Sequence, residues 1–194
     1  MSKVKNRKVQ TQKLVLGAIL TALVIILQFL GSFIHFGPFS ISLVLIPIVI
    51  GAATCGYTIG AWLGLVFGIV VLISGDATAF LAIDVFGTFV TVLLKGTLCG
   101  LAAGLVYKLL EKHNRYIAVV AAAIVCPLVN TGIFLLGCNV FFLNEITAWG
   151  LKAGFENVAG YMFLGLIGAN FLFELGANII LSPIIVRIIN YKSK

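Results

Sequence analysis

FGTFVTVLLKGTLCGLAAGLVY, residues 86–107, decides how the rest of the chain is read. These 22 residues are almost entirely apolar and carry one charge, Lys95, near the middle. A helix of about 20 apolar residues crosses the ~30 Å hydrocarbon core of a bilayer, so the stretch reads as a membrane helix with an ammonium at mid-depth. Placing a lysine there costs roughly 2.5–3.5 kcal/mol, tolerable only where its head meets a partner or water. Thr88, Thr91 and Lys95 stand at i, i+3 and i+7 and share one face. Gly96, Gly100 and Gly104, four apart, form a second ridge against which another helix can pack closely. A polar stripe beside a close-packing ridge describes one wall of a pocket inside a helical bundle.

The same character extends along the whole chain. Of 194 residues, 61% are hydrophobic and only 10% charged, with a mean hydropathy of +1.19. A soluble domain carries about 25% charged residues, so this is an integral membrane protein with no room for a soluble catalytic domain. Cys55, Cys99, Cys126 and Cys138 lie in or at the ends of apolar stretches without CxxC spacing and read as small buried residues. The apolar run from Leu14 is too long for a signal peptide and lacks a small-residue cleavage site before Phe29.

Six spans are expected. The first covers about Leu14 to Ile34, and the second, about Ile41 to Thr54, is short enough to be tilted within protein or partly re-entrant. The third, about Tyr57 to Ile73, continues a ridge of glycines at 56, 60, 64 and 68. The fourth is the opening stretch; the fifth, about Tyr116 to Cys138, is interrupted by Pro127; the sixth runs from about Val158 to Ile189. The fold class is therefore all-α: a six-helix membrane bundle (14–190) between a basic segment (1–13) and a short tail (191–194).

Lysine and arginine placement sets the orientation. With the N-terminus inside, the cytoplasmic face receives eleven cations and one acid, Glu111. The outer face receives Lys152 with Asp76, Asp84, Glu145 and Glu156. This satisfies the positive-inside rule, puts both termini in the cytoplasm, and explains the net charge of +7 without nucleic acid. Lys95 and Glu174 then remain near the bilayer midplane. Asn170, Glu174 and Asn178 form a stripe at i, i+4 and i+8, while Asn130, Thr131 and Gln28 lie slightly outward of the midplane. Polar side chains from four spans thus gather between midplane and outer surface, implying a cavity open outwards and closed towards the cytoplasm.

Three outer loops can cover it. HFGPFS contributes His35, Phe36 and Phe39; SGDATAFLAID contributes Asp76, Phe80 and Asp84; residues 139–157 contribute Phe141, Phe142, Trp149 and Phe155. Glycines beside aromatics suggest mobile lids with stacking faces, although interfacial anchoring gives the same composition. Candidate binding residues are Lys95, Thr91, Thr88, Asn130, Asn170, Glu174, Gln28, Phe36, Phe39 and Phe80. Lys95 and Glu174 either neutralise each other structurally or mark a site, and the asparagines either bind ligand or join helices.

No GxxxxGK[ST], HExxH or GxSxG occurs, and His35 and His113 fall on opposite sides, so neither ATP hydrolysis, metal binding nor enzyme chemistry is supported. No cofactor is expected. Neither is there an obvious inverted repeat of broken helices, as many secondary carriers show. The chain has a pocket without an engine.

Ala18 and Ala22 on the first span make a small-xxx-small pair. With the basic N-terminus, six spans, and the glycine-rich segments IPIVIGAATCGYTIGAWLGLVFG and LLKGTLCGLAAGLVYKLLEK, the chain resembles the S components of energy-coupling factor (ECF) transporters. The resemblance implies a vitamin-binding subunit of the cell membrane, with substrate held in the outer half under the loop between the first two spans. It implies import driven by a transmembrane coupling subunit and two ATPase subunits, with Ala18 and Ala22 as the docking surface. IPIVIGA, FGTFVTVLLKG and VCPLVNTGIFLLG look most like the pantothenate subgroup; pyridine or pyrimidine vitamins, folate and riboflavin remain open. Competing classes are a solitary carrier using Lys95 and Glu174 as a proton relay, and a ligand-free helical scaffold.

Overall fold

The computed structural model describes the backbone of residues 2–32, 35–36, 39–40 and 43–192, and the side chains of residues 10–32, 43–168, 170–182, 184 and 187. Helix α1 (Ser2–Gly31) is joined to the bundle by a minimal hairpin, β1 (His35–Phe36) paired with β2 (Phe39–Ser40). Then follow α2 (Leu45–Cys55), α3 (Tyr57–Ser74), the single turn α4 (Thr78–Leu81), α5 (Val85–Leu110) and α6 (Arg115–Phe141). Helix α7 (Leu143–Lys152), a short turn α8 (Val158–Gly160), a π-helical stretch Tyr161–Ile167 and α9 (Gly168–Lys192) complete the chain.

Among the described residues, four helices are long and apolar enough to cross a membrane: Gln10–Gly31 within α1, α3, α5 and α6. A fifth is obtained if Val158–Ile167 and Asn170–Ser182 count as one bent span. Large apolar side chains such as Ile19, Ile73, Phe86, Leu136 and Leu172 point away from the bundle on all of these elements, as lipid requires.

The glycine ridges explain the packing. Those of α3 and α5 meet each other: Gly60 faces the carbonyl of Gly100, Gly64 that of Gly96, and Gly68 that of Val92. A Cβ at Gly60 or Gly68 would come within 2.6 and 2.8 Å of those oxygens, so only hydrogen fits. Lipid is as apolar as leucine, so close van der Waals contact of this kind is what holds membrane helices together. On its other side α5 packs along α6, with Gly137 admitting the side chain of Thr91.

Several expectations need correction. Helix α1 begins at Ser2 rather than near Leu14, because nothing in the basic segment breaks a helix. Helix α2, by contrast, is short as expected, with 11 residues, about 16 Å, and Leu45 to Ala52 are buried all round, so it lies within protein. Gly56, at φ 108°, turns the chain directly into α3, a conformation that side chains disfavour. Pro127 does not interrupt α6, which runs through it; buried and surrounded by helices, the proline is tolerated as in other membrane spans. The last span is not straight. It bends by 48° after the π-helical stretch, at Gly168 (φ 1°, ψ −111°), whose N–H closes the last π-type bond to the Phe163 carbonyl. Residues 139–157, expected as a loop, mostly form the ends of α6 and the whole of α7.

Candidate functional site

Close approach of α3 to α5 creates the site. With Gly64 seated on Gly96, Phe67 of α3 is brought over the Lys95 side chain, its ring centroid 5.6 Å from Nζ. Phe134 of α6 covers Lys95 at 5.4 Å. The ammonium thus lies between two aromatic rings from two helices, each contributing cation–π attraction of about 0.5–2 kcal/mol where water is scarce. Glu174 of α9 and Asp76 line the same space as Lys95.

These groups border one cavity of about 860 Å³, counting its open mouth. Helix α5 supplies Thr88, Thr91, Val92 and Lys95; α6 supplies Asn130, Thr131 and Phe134; α9 supplies Asn170, Phe171 and Glu174. Gln28 enters from α1, and Phe67 and Val71 from α3. Eight of the ten expected binding residues, Lys95, Thr91, Thr88, Asn130, Asn170, Glu174, Gln28 and Phe80, line this space. The side chains of Phe36 and Phe39 lie outside the described residues.

The polar groups differ in how they are engaged. Gln28 Nε2 donates to Asp76 Oδ2 at 2.5 Å, tying α1 to the loop after α3. Thr88 Oγ1 donates to the Asp84 carbonyl at 2.6 Å. Among the described residues, Thr91 Oγ1 and Asn130 Oδ1 are buried without a hydrogen-bond partner. A buried polar atom left unpaired costs about 1–3 kcal/mol; Thr91 Oγ1 faces Gly137 inside the α5–α6 contact, while Asn130 belongs to the cavity lining.

The roof is aromatic and helical. Phe80 of α4 is its hub, edge-on to Phe134 (5.6 Å), Phe142 (5.1 Å) and Trp149 (5.7 Å). Leu166 and Ile167, before the bend, and Asn170, after it, complete the rim. These aromatics, expected on mobile loops, stand instead on α4, on α7 and at the junction of α6 with α7, packed against one another. Towards the basic end the space gives way to a core of Cys99, Ala103, Ala122, Ala123 and Cys126. The stripe on α9 continues past Glu174: Asn178 Nδ2 donates to the Glu174 carbonyl at 2.9 Å, and Ser182 follows four residues on, both fully buried.

Sequence reasoning missed Phe67, Val71, Phe134 and Phe171 as lining residues. Phe134 stands four residues after Asn130, and Val71 four after Phe67, so helical spacing from a polar or glycine ridge position was the available signal. Ala18 and Ala22 are exposed on the outer side of α1, opposite the buried line Leu20, Val24 and Gln28. They take no part in the cavity.

A family model described as "ECF transporter, substrate-specific component" matches residues 12–186. Comparison with curated proteins and with solved structures returned no match.

Proposed function

The chain belongs to the substrate-specific components of ECF transporters, and from that premise we propose that the Lys95 cavity captures a water-soluble vitamin or related micronutrient for import. Members of the family are transport subunits, not enzymes. In this reading the protein sits in the cell membrane with α2 as its sixth, shortened span and both termini in the cytoplasm, as the lysine and arginine distribution favours. A transmembrane coupling subunit docks on Ala18 and Ala22, and two ATPase subunits supply the energy; this chain itself needs no cofactor.

The observation that carries the proposal is the Lys95 ammonium, set between the rings of Phe67 and Phe134, in a cavity whose lining also includes Thr88, Asn130, Asn170 and Glu174. Lys95, Thr88, Thr91, Asn130, Asn170, Glu174 and Gln28 supply the polar contacts, and Phe80 closes the top. Segment likeness leans to pantothenate, whose carboxylate would meet Lys95 in a charge-assisted bond of roughly 1.5–3 kcal/mol.

The charge balance of the lining favours a second reading. Two carboxylates, Asp76 and Glu174, face a single ammonium, and Phe67, Phe80 and Phe134 offer ring faces. That set suits a neutral heteroaromatic vitamin of the pyridine or pyrimidine kind. Thermal unfolding of the purified protein against a panel of vitamins tests both readings. Stabilisation by pantothenate supports the first, stabilisation by a heteroaromatic vitamin the second, and no shift with any of them rejects the cavity as a vitamin site.

A further inference from the structure

A second groove lies at the opposite, basic end of the bundle, where α1, α3, α5 and α6 meet beside the α2–α3 break, and it is independent of the function proposed above. Its free space, open solvent at the mouth included, is about 1250 Å³. Three cations from three different helices line it: Lys13 of α1, Lys108 of α5 and Arg115 of α6. One acid, Glu111, faces them, leaving a formal lining charge of +2. Among the described residues, none of the three cations is closed by an ion pair. Lys108 Nζ instead sits 5.0 Å from the ring centroid of Tyr57, which holds it at the groove's edge. Cys55 Sγ bonds the Lys13 carbonyl at 3.6 Å and so fixes α1 against the same opening. The first turn of α3 also borders the groove, and no side chain caps its amides. Cations on separate helices, a tyrosine pair (Tyr57 and Tyr107) and uncapped amides together suit a phosphate diester or monoester.

We infer that this groove binds a phosphate-bearing anion, the headgroup of an acidic phospholipid being the occupant that its place at the end of the spans favours. Basic hollows between membrane helices recruit such headgroups, each lysine or arginine near the surface contributing about fivefold in affinity. The full-length protein, purified in neutral detergent, is titrated with phosphatidylglycerol and with phosphatidylcholine and read by native mass spectrometry. Selective retention of phosphatidylglycerol is expected. Lys108→Gln/Arg115→Gln is expected to weaken it roughly twentyfold or more, whereas Lys112→Gln, which removes a neighbouring cation that does not line the groove, leaves it unchanged. Should the double variant unfold early, Arg115→Gln alone is expected to weaken retention about fivefold. Competition by millimolar inorganic phosphate assigns the groove to a soluble phosphate; failure to compete assigns it to the lipid. Equal retention of both lipids, or equal loss with Lys112→Gln, overturns the site.

Discussion

Gly64 of α3 and Gly96 of α5 lie backbone against backbone, so close that a methyl group on either would overlap the other's carbonyl oxygen. This contact places Phe67 over Lys95 and thereby sets the width of the cavity. A leucine at either glycine must push the two helices apart, and overpacking of this kind costs at least about 1–3 kcal/mol. Gly64→Leu is expected to lower thermal stability and to abolish vitamin binding. Gly176→Ala, where an added Cβ meets nothing within 4 Å, serves as the control and should leave both unchanged. Normal binding by Gly64→Leu, measured by calorimetry, would mean that the cavity does not depend on this approach.

The bond between Gln28 and Asp76 links α1 to the segment that carries Phe80. Gln28→Leu keeps the volume but removes this donor from the Asp76 carboxylate, at a cost of about 1–3 kcal/mol. Faster ligand release is the expected consequence, with association little altered, because the roof is loosened rather than the walls. A stopped-flow displacement measurement reads this directly; an unchanged dissociation rate would show that the bond is incidental to the lid.

Glu174 and a substrate carboxylate cannot both be the main partner of Lys95. If pantothenate is the substrate, Glu174→Gln removes a competitor and is expected to raise its affinity, by up to tenfold for each ~1.4 kcal/mol released. Weaker pantothenate binding by that variant argues that Glu174 contacts the ligand itself, and a neutral vitamin then becomes the better substrate.

Ala18 and Ala22 are exposed on α1 and are not among the residues lining the cavity. Ala18→Trp is therefore expected to leave binding to purified protein intact while stopping uptake by cells that carry the coupling subunit and ATPases. Normal import by cells expressing the variant counts against docking on this face. Uptake that follows a proton gradient in cells without the ATPases would favour the lone-carrier reading instead.

The two ridges of glycines and the polar stripe around Lys95 were legible because helical spacing alone puts such residues on a common face. The partnership of the ridges was not, since each only declares that something approaches closely. Helices α4 and α7 were hidden because their aromatics read equally as loop lids or interfacial anchors; the contacts of Phe80 with Phe142 and Trp149 emerge only in three dimensions. The bend after Ile167 was invisible for a different reason. Gly165 and Gly168 look like ordinary membrane-helix glycines, and a π-helical stretch has no compositional mark. Phe67 and Phe134 escaped as well, since an apolar ring in an apolar span becomes a binding residue only through the ammonium it covers.

The account turns on Lys95 as the centre of a substrate site, and equilibrium binding to purified wild-type protein and to Lys95→Ala tests it most directly, using whichever vitamin stabilises the wild type. We expect the variant to insert and purify normally and to lose affinity by roughly tenfold to a hundredfold. Unchanged affinity in a folded Lys95→Ala protein would contradict the assignment.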